Sequence, residues 1–237
     1  MRNIILHHHI FKNAGSSFSA ILDNNFGRAH AKVDAVEPWG VLDRDGVINY
    51  LLKNPEVRAI SSHTSRLLPE SIGDIRFHQM YFLRHPIDRV GSVYSFERRQ
   101  PVGSPSMGSK IARTRGIKEY VTWRLAKGNG AVIRNFQVVF LAGRETDMRT
   151  AEATLEDFKV AIDRLSEFAH FGLVEYFEDS LSRFKKYYEH ELAGKFDIQS
   201  SHQNKSPDRA NKVEERLEIL KRELGKQLYD ELVEKNE

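Results

Sequence analysis

Short apolar runs alternate with amphipathic stretches along the chain, and this pattern predicts its secondary structure. Runs rich in β-branched and aromatic residues predict strands over residues 4–11, 57–61, 79–83 and 169–174. Apolar positions spaced by three or four residues predict helices over residues 16–22, 41–52, 87–99, 117–127, 133–142, 151–166 and 177–192. Serine at position 16 is the expected N-cap of the first helix. Residues 100–109 predict a mobile loop, and residues 207–235 a final helical stretch with an apolar stripe.

Strands that alternate with helices predict an α/β fold, in which a parallel sheet is covered by helices on both faces. We expect a central sheet of about four or five strands. No internal repeat and no long linker divides the sequence, so we expect a single domain over residues 1–237. The apolar stripe at the C-terminal end barely exceeds three heptads, which favours a helix docked on its own domain over a coiled coil.

Composition narrows the class of protein. The chain has 237 residues, of which 40% are hydrophobic, enough to bury a sizeable core. It has no cysteine, which excludes disulfides, thiolate zinc sites, iron–sulfur clusters and a thiol nucleophile, and suits a reducing compartment. No apolar run reaches the roughly 7–15 residues of a signal peptide or the about 18–20 of a membrane span. We therefore expect a cytoplasmic protein without an integral membrane segment.

The turn after the first predicted strand has the composition of an anion site. The N–H groups at the start of a helix are unpaired and the helix dipole favours negative charge there. Gly15 permits a close approach of the backbone, Ser16 and Ser17 add hydroxyl donors, and Lys12 adds a positive charge. The lysine precedes the glycine, unlike the order in a Walker A loop, so magnesium dependence is not implied. An ordinary strand-to-helix turn with a surface lysine is the alternative.

A second basic position follows the third predicted strand. Arg84 lies at the carboxyl end of that strand, which is the edge where open α/β sheets bind ligands. Ser92 lies about two turns into the next helix. Arg84 and Ser92 are therefore candidates to bind one phosphate together, with the guanidinium supplying a planar fork of donors.

These two segments resemble the donor-binding motifs of carbohydrate sulfotransferases. Residues 9–17 read His-Ile-Phe-Lys-Asn-Ala-Gly-Ser-Ser and resemble the family's 5′-phosphosulfate loop, H-I-P-K-T-G-G-T-S. Residues 83–94 resemble its 3′-phosphate motif, L-R-D-P-x-x-R-x-x-S-x-Y. The resemblance is closest to the heparan and uronyl sulfotransferases and extends through residues 137–143 and 171–180 to residues 204–207. The departures from the pattern are Phe11, Asn13, Ala14 and His85.

The resemblance implies a P-loop-like three-layer sandwich and a soluble enzyme, such as a bacterial member without a membrane anchor. It implies 3′-phosphoadenosine 5′-phosphosulfate (PAPS) as the co-substrate, with no metal required, and transfer of a sulfuryl group to an acceptor hydroxyl. The residues that would bind PAPS are Lys12, Asn13, Ala14, Gly15, Ser16, Ser17, Arg84, Ser92, Asn204, Lys205 and Ser206.

The resemblance also implies catalytic roles for Lys12 and His63. Lys12 would neutralise charge on the leaving phosphate. His63 follows the second predicted strand, matches the family's histidine there, and is the expected base; a capping or surface histidine is the alternative.

The sequence gives weaker signals for the residues that would contact the acceptor. Loop 100–116 is the expected acceptor-facing segment, and the candidate acceptor residues are His9, Glu97, Arg98 and Trp123. Glu97 is a weaker candidate base that we expect to pair with Arg98, Arg99 or a cation of the substrate. His7 and His9 share one face of the first strand, where we expect core or substrate-wall histidines rather than metal ligands.

Charge distribution points to the same region. The net charge of the chain is +3, yet residues 76–118 carry nine Lys and Arg against two acidic residues. Such a local field fits an anionic donor, and a carbohydrate acceptor that is itself anionic would also suit it. The alternatives are a nucleotide-dependent phosphotransferase and a non-catalytic module that binds anions or nucleic acid. The chain lacks the Walker A order and any RRM or zinc-finger signature, so we expect no nucleic-acid partner.

Overall fold

Strands and helices alternate along the chain in a computed structural model that describes residues 1–37, 40–129, 131–144, 152–167, 170–192, 194–198 and 212–236. The strands are β1 (Arg2–His8), β2 (His30–Lys32), β3 (Ala59–Ser62), β4 (Ser71–Ile72), β5 (Ile75–Leu83) and β6 (Phe171–Leu173). The helices are α1 (Gly15–Phe26), α2 (Arg44–Lys53), α3 (Pro86–Arg98), α4 (Met107–Thr114), α5 (Ile117–Leu125), α6 (Phe136–Leu141), α7 (Leu155–Glu167), α8 (Phe177–Glu191), α9 (Val213–Leu224) and α10 (Lys226–Glu234). The predicted mixed α/β class is confirmed.

The strands form one mostly parallel sheet in the order β2-β3-β1-β5. Ile5 of β1 lies between Ala59 of β3 and His78 of β5, and all three strands run in the same direction. On the other edge of β5, β4 pairs antiparallel with its beginning and β6 pairs parallel with its end. Within the described residues the sheet therefore has six strands, of which five are parallel, in agreement with the expected parallel sheet of about four or five, and the antiparallel β4 is the addition. The carboxyl ends of β1, β3 and β5 meet at one edge.

Helices cover both faces of this sheet, as the alternation predicts. Alternate side chains of each strand point to opposite faces, so Ile5 and Ile4 enter different cores. One core joins the sheet to α1 and α8 through Ile5, Phe18, Leu22, Met80, Phe82, Leu181 and Phe184. The opposite core joins it to α2 through Ile4, Leu6, Val47, Leu51, Ile60 and Phe77. Burial of both faces explains the continuously apolar character of the central strands.

A third apolar core lies beside the sheet and holds the C-terminal helices. Leu220 and Leu224 of α9 and Leu232 of α10 are buried there with residues of α3, α4 and α5. The C-terminal stripe is therefore docked on its own domain, as expected. Over its described residues the predicted helical stretch consists of two helices, because Gly225 adopts a φ of 77° and separates α9 from α10. Positive φ is a conformation that favours glycine.

Two local predictions are corrected. The segment 100–116 is not a loop throughout, because α4 begins at Met107, where the Ser106 hydroxyl caps the helix by accepting the N–H of Ser109. Arg113 of α4 donates to the carbonyls of residues 100–102 and holds the remaining loop against the helix. The N-cap of α1 is Ala14 and not a serine, so both serines lie inside the first turn. Among the helices described, none is long and apolar enough to cross a membrane.

Candidate functional site

The turn between β1 and α1 is strained and is held in place by Asn13. Lys12 and Ala14 have φ values of 66° and 59°, a left-handed conformation that costs a residue with a Cβ about 1–2 kcal/mol. The side chain of Asn13 is buried and donates to the carbonyl of Phe82 at 2.7 Å and to Oε1 of Gln137 at 2.6 Å. Strain that the surroundings maintain is typical of functional sites. The Asn13 side chain thus holds the turn and does not face the solvent.

The first turn of α1 presents donors at the carboxyl edge of the sheet. Ser17 donates its N–H to the carbonyl of Ala14 at 3.0 Å. Within the described part of the chain, no such bond uses the N–H groups of Gly15 and Ser16. The Ser16 residue is exposed and Ser17 is half-buried. The helix dipole adds a partial positive charge at this end, so the turn is suited to an anion.

Gly15 is required here by the ring of His9. A Cβ placed on Gly15 would lie only 1.8 Å from Cδ2 of His9. The His9 ring in turn stacks on the ring of His63, with 3.9 Å between ring centroids. A glycine is thus needed at this position by a side chain of the protein itself, while the predicted close approach of a ligand stays a prediction. The two histidines follow β1 and β3 and meet because those strands are parallel neighbours.

His63 is paired with Asp34, a residue that the sequence analysis missed. Oδ2 of Asp34 lies 3.3 Å from Nδ1 of His63, and Oδ1 accepts the backbone N–H of His63 at 2.6 Å. Burial opposes ionisation of Asp34, but the hydrogen bonds from His63 outweigh it and hold the pKa of the carboxyl well below its usual range. The side chain of His63 is 55% exposed, so its ring is accessible to a substrate.

Arg84 connects the two predicted phosphate motifs. It donates to the carbonyl of Lys12 at 3.1 Å and pairs with Asp88, one turn into α3, at 2.7 Å. Asp88 also accepts Nε of Arg216, from α9, at 2.7 Å. Residue 85 is a histidine, so the carboxylate beside Arg84 comes from Asp88. The pair of guanidiniums around one buried carboxylate leaves a net positive charge below the turn.

One face of α3 carries Ser92 and contacts Lys12. The Nζ atom of Lys12 lies 4.7 Å from the ring centroid of Phe96. Asp88, Ser92 and Phe96 are spaced by four residues and so share a helix face. Ser92 thus lies between the residue that contacts Arg84 and the residue that contacts Lys12, and it is buried. The predicted pairing of Arg84 and Ser92 on one side of the turn is geometrically feasible.

Gln137 is a further residue that the sequence analysis did not assign to the site. Its Oε1 accepts the N–H of Arg84 at 2.9 Å, and its Nε2 donates to the carbonyl of Arg84 at 2.8 Å. The same Oε1 accepts from Asn13. One side-chain amide of α6 therefore sets the positions of both loops at the edge of the sheet.

The candidate acceptor residues other than His9 contact partners other than the residues described so far. Glu97 is buried, pairs with Arg124 at 2.5 Å and accepts the hydroxyl of Tyr120 at 2.6 Å. The expected pairing of Glu97 with Arg98 or Arg99 is wrong, because the Glu97 carboxylate is paired with Arg124 of α5. A carboxylate committed to these partners is unsuited to act as a base. Arg98 donates to the hydroxyl of Tyr94 at 3.0 Å.

Trp123 is half-buried and packs against the third core. Its ring lies 4.7 Å from the guanidinium carbon of Arg124. The predicted donor ligands Asn204, Lys205 and Ser206 lie outside the described residues.

The neighbouring histidines of β1 are buried and hydrogen-bonded. Nδ1 of His7 lies 2.8 Å from the hydroxyl of Ser61. His8 lies between Ser65 and Gln79, at 2.8 Å and 3.1 Å. Burial lowers the pKa of His7 well below its ordinary value, that of His8 to about 4 and that of His9 to about 3. The expectation that His7 is a core histidine is confirmed, and the three rings are neutral near pH 7.

Comparison with known proteins finds a relative in an archaeon. An uncharacterized protein of Archaeoglobus fulgidus is 35% identical over 242 residues, a match that covers 100% of this chain and 92% of the relative. The chain belongs to the family of this archaeal protein. The match includes every helix and strand of this chain described above. No family model matches the chain.

Gly15→Ala tests the contact between the first helix and the histidine pair. Alanine favours a helix over glycine by about 0.5–1 kcal/mol, but the added Cβ meets the His9 ring and overpacking costs about 1–3 kcal/mol. We expect the free energy of unfolding, measured with urea, to fall by about 1–2 kcal/mol. Gly103→Ala is the control, since a Cβ there meets nothing within 4 Å. Equal or greater stability of Gly15→Ala would contradict the contact.

The buried histidines predict a fall in stability below neutral pH. In the unfolded chain a histidine binds its proton near pH 6.5, whereas folded His7, His8 and His9 stay neutral to lower pH. Unfolding therefore takes up protons, so stability is complete above about pH 6.5 and decreases towards pH 4, by about 1.4 kcal/mol per pH unit for each histidine.

Urea titrations at half-unit pH steps measure this slope. His8→Gln should reduce the slope by about one proton, while His190→Gln, at a side chain that is 86% exposed, should leave it unchanged. A free energy of unfolding that is flat between pH 6.5 and 5 would be inconsistent with neutral buried rings.

Proposed function

We propose that the protein is a sulfotransferase that moves a sulfuryl group from PAPS to an acceptor hydroxyl, with a carbohydrate as the acceptor class. The observation that carries the proposal is the convergence of Lys12, the start of α1, Arg84 and His63 at one edge of the sheet. The resemblance of residues 9–17 and 83–94 to the two donor motifs supplies the identity of the donor. A P-loop-like arrangement and a cytoplasmic setting, which the cysteine-free composition suits, are parts of the same proposal.

The two anionic ends of the donor have separate places in this proposal. The N–H groups of Gly15 and Ser16, with the hydroxyls of Ser16 and Ser17, would bind the 5′-phosphosulfate. Arg84 and Ser92 would bind the 3′-phosphate. Arg84 is already oriented by Asp88 at 2.7 Å, so little side-chain entropy is lost when a phosphate binds.

The chemistry requires positioning and charge stabilisation more than covalent participation of the protein. The acceptor oxygen forms a bond to sulfur while the bond from sulfur to the bridging oxygen of the 5′-phosphate breaks, and the electron pair stays on that oxygen. Lys12 would neutralise the charge that develops there. The proton of the acceptor hydroxyl would pass to a ring nitrogen of His63, whose exposure and pairing with Asp34 suit a general base.

Binding of adenosine 3′,5′-bisphosphate tests the donor site. At about 100 times its Kd this ligand should stabilise the protein by about 2.7 kcal/mol, which raises Tm by about 5–10 °C in a chain of this size, in the absence of magnesium. ATP should give a smaller shift. Arg84→Ala should remove the shift, whereas Lys118→Ala, at an exposed position of α5, should retain it. A shift that requires magnesium and favours ATP would instead indicate a phosphotransferase.

Transfer of radiolabelled sulfate tests the catalytic roles. A panel of hydroxylated sugars and glycoconjugates is offered with labelled PAPS to the wild-type protein and to two variants. Lys12→Ala and His63→Ala should each lower transfer by about 100-fold or more, and His63→Ala should keep the thermal shift with adenosine 3′,5′-bisphosphate. Lys159→Ala, an exposed lysine of α7, is the control. Unchanged turnover in His63→Ala would remove this residue as the base.

A further inference from the structure

The segment after β2 brings a carboxylate to the proposed base. Asp34 lies two residues beyond Lys32, at the end of a three-residue strand that pairs with β3. The backbone N–H of Val33 donates to the carbonyl of Ser61 at 3.0 Å and so extends the pairing towards Asp34. His63 leaves the end of β3 in the same direction. The parallel pairing of two neighbouring strands therefore brings the two side chains together.

The carboxylate of Asp34 is anchored by groups other than the ring that it faces. Its Oδ1 accepts the N–H of His63 at 2.6 Å and the hydroxyl of Ser62 at 3.0 Å. These bonds leave Oδ2 directed at Nδ1 of His63, 3.3 Å away. This separation is at the long end for a hydrogen bond, as is common for catalytic pairs without substrate. The orientation of the acid does not depend on the imidazole.

The other surface of the His63 ring is fixed by stacking. The ring lies against that of His9, with 3.9 Å between centroids and 27° between planes. His9 itself is held against Gly15. Among the described residues, the groups that act most strongly on the stacked pair include Asp34, Lys12, Lys32 and His7. Of these four, Asp34 is the carboxylate, and it faces Nδ1.

We infer that Asp34 is the positioning residue that keeps the proton of neutral His63 on Nδ1 and so leaves the lone pair of Nε2 available to the acceptor. An ionised carboxylate only accepts hydrogen bonds, so the facing ring nitrogen must be the donor. A neutral imidazole carries one proton, and Nε2 is then unprotonated. The position of the ring proton follows from the geometry alone, whereas the role of His63 as a base rests on the proposed function.

Asp34→Asn is the decisive variant, because the amide keeps the shape and reverses the donor pattern. The amide oxygen can take the place of Oδ1 and still accept the N–H of His63. The NH₂ group then occupies the place of Oδ2 and donates to Nδ1, which forces the ring proton onto Nε2. Asp23→Asn is the matched control, since Asp23 pairs with Nδ1 of His30 at 2.8 Å while Nε2 of that ring is already bonded to Ser61.

The first measurement is independent of any activity. In protein labelled with ¹⁵N at histidine, at pH 8.5, His63→Gln identifies the ring signals of His63. We expect a protonated Nδ1 and an unprotonated Nε2 in the wild type and in Asp23→Asn, and the opposite pattern in Asp34→Asn. A wild-type ring protonated on Nε2, or the same pattern in Asp34→Asn, would overturn the inference.

The second measurement separates this inference from the proposed function. With a sulfated acceptor in hand, Asp34→Asn should lower kcat by about 100- to 10 000-fold, with the KM for PAPS changed less than about threefold. The double variant Asp34→Asn/His63→Ala should be no slower than His63→Ala, because the two residues act as one unit. Additive losses would overturn the positioning role. Absence of transfer in every protein, including the wild type, would count against the proposed function, and the ring signals would still decide the tautomer.

Discussion

The arrangement of the site depends on one side-chain amide, that of Gln137. It bonds both the N–H and the carbonyl of Arg84, in the manner of a neighbouring strand, and it also accepts from Asn13. Without it, the N–H and the carbonyl of Arg84 would lose this partner and the Asn13 amide would keep only its bond to Phe82, and each unsatisfied group costs about 1–3 kcal/mol. The loops after β1 and β5 are therefore held at a fixed separation by a residue of a six-residue helix, α6, that belongs to neither of them.

This fixed separation explains how the strained turn at residues 12–14 can persist. The left-handed backbone of Lys12 and Ala14 is offset by the bonds of Asn13 to Phe82 and Gln137, and by the bond from Arg84 to the carbonyl of Lys12. Arg84 is in turn oriented by a carboxylate that α9 also contacts. The C-terminal helices thus support the site as well as the third core, and a helix distant in sequence contributes to the orientation of the first turn.

Periodicity and parallel topology were sufficient to predict much of this from the sequence. The apolar runs identified β1, β3, β5 and β6, and parallel pairing implied that residues 12, 63 and 84 would approach one another. Two strands were missed because runs of three and two residues carry no periodic signal, and Asp34 was missed with β2. Gln137, Arg124 and Arg216 act over long separations in sequence, so no local pattern could assign their partners. Gly15 was singled out for its small size, but its neighbour His9 could be identified only in three dimensions.

The histidines of this sheet edge show how burial assigns different roles to one residue type. His7 and His8 follow each other in β1 and are fully buried, and burial keeps both rings neutral. Both ring nitrogens of His8 have partners, whereas only Nδ1 of His7 is hydrogen-bonded, to Ser61, and its Nε2 has no partner among the described residues. His63 lies one strand away and is more than half exposed, with a carboxylate on one nitrogen. A buried ring that is satisfied on its polar atoms stabilises the fold but has no access to a substrate. An exposed ring with one nitrogen fixed by an acid retains a directed lone pair, and stacking on His9 links that ring to the start of α1. His7 therefore supports the half-buried ring of His9 from the core, and His9 in turn supports the more exposed ring of His63.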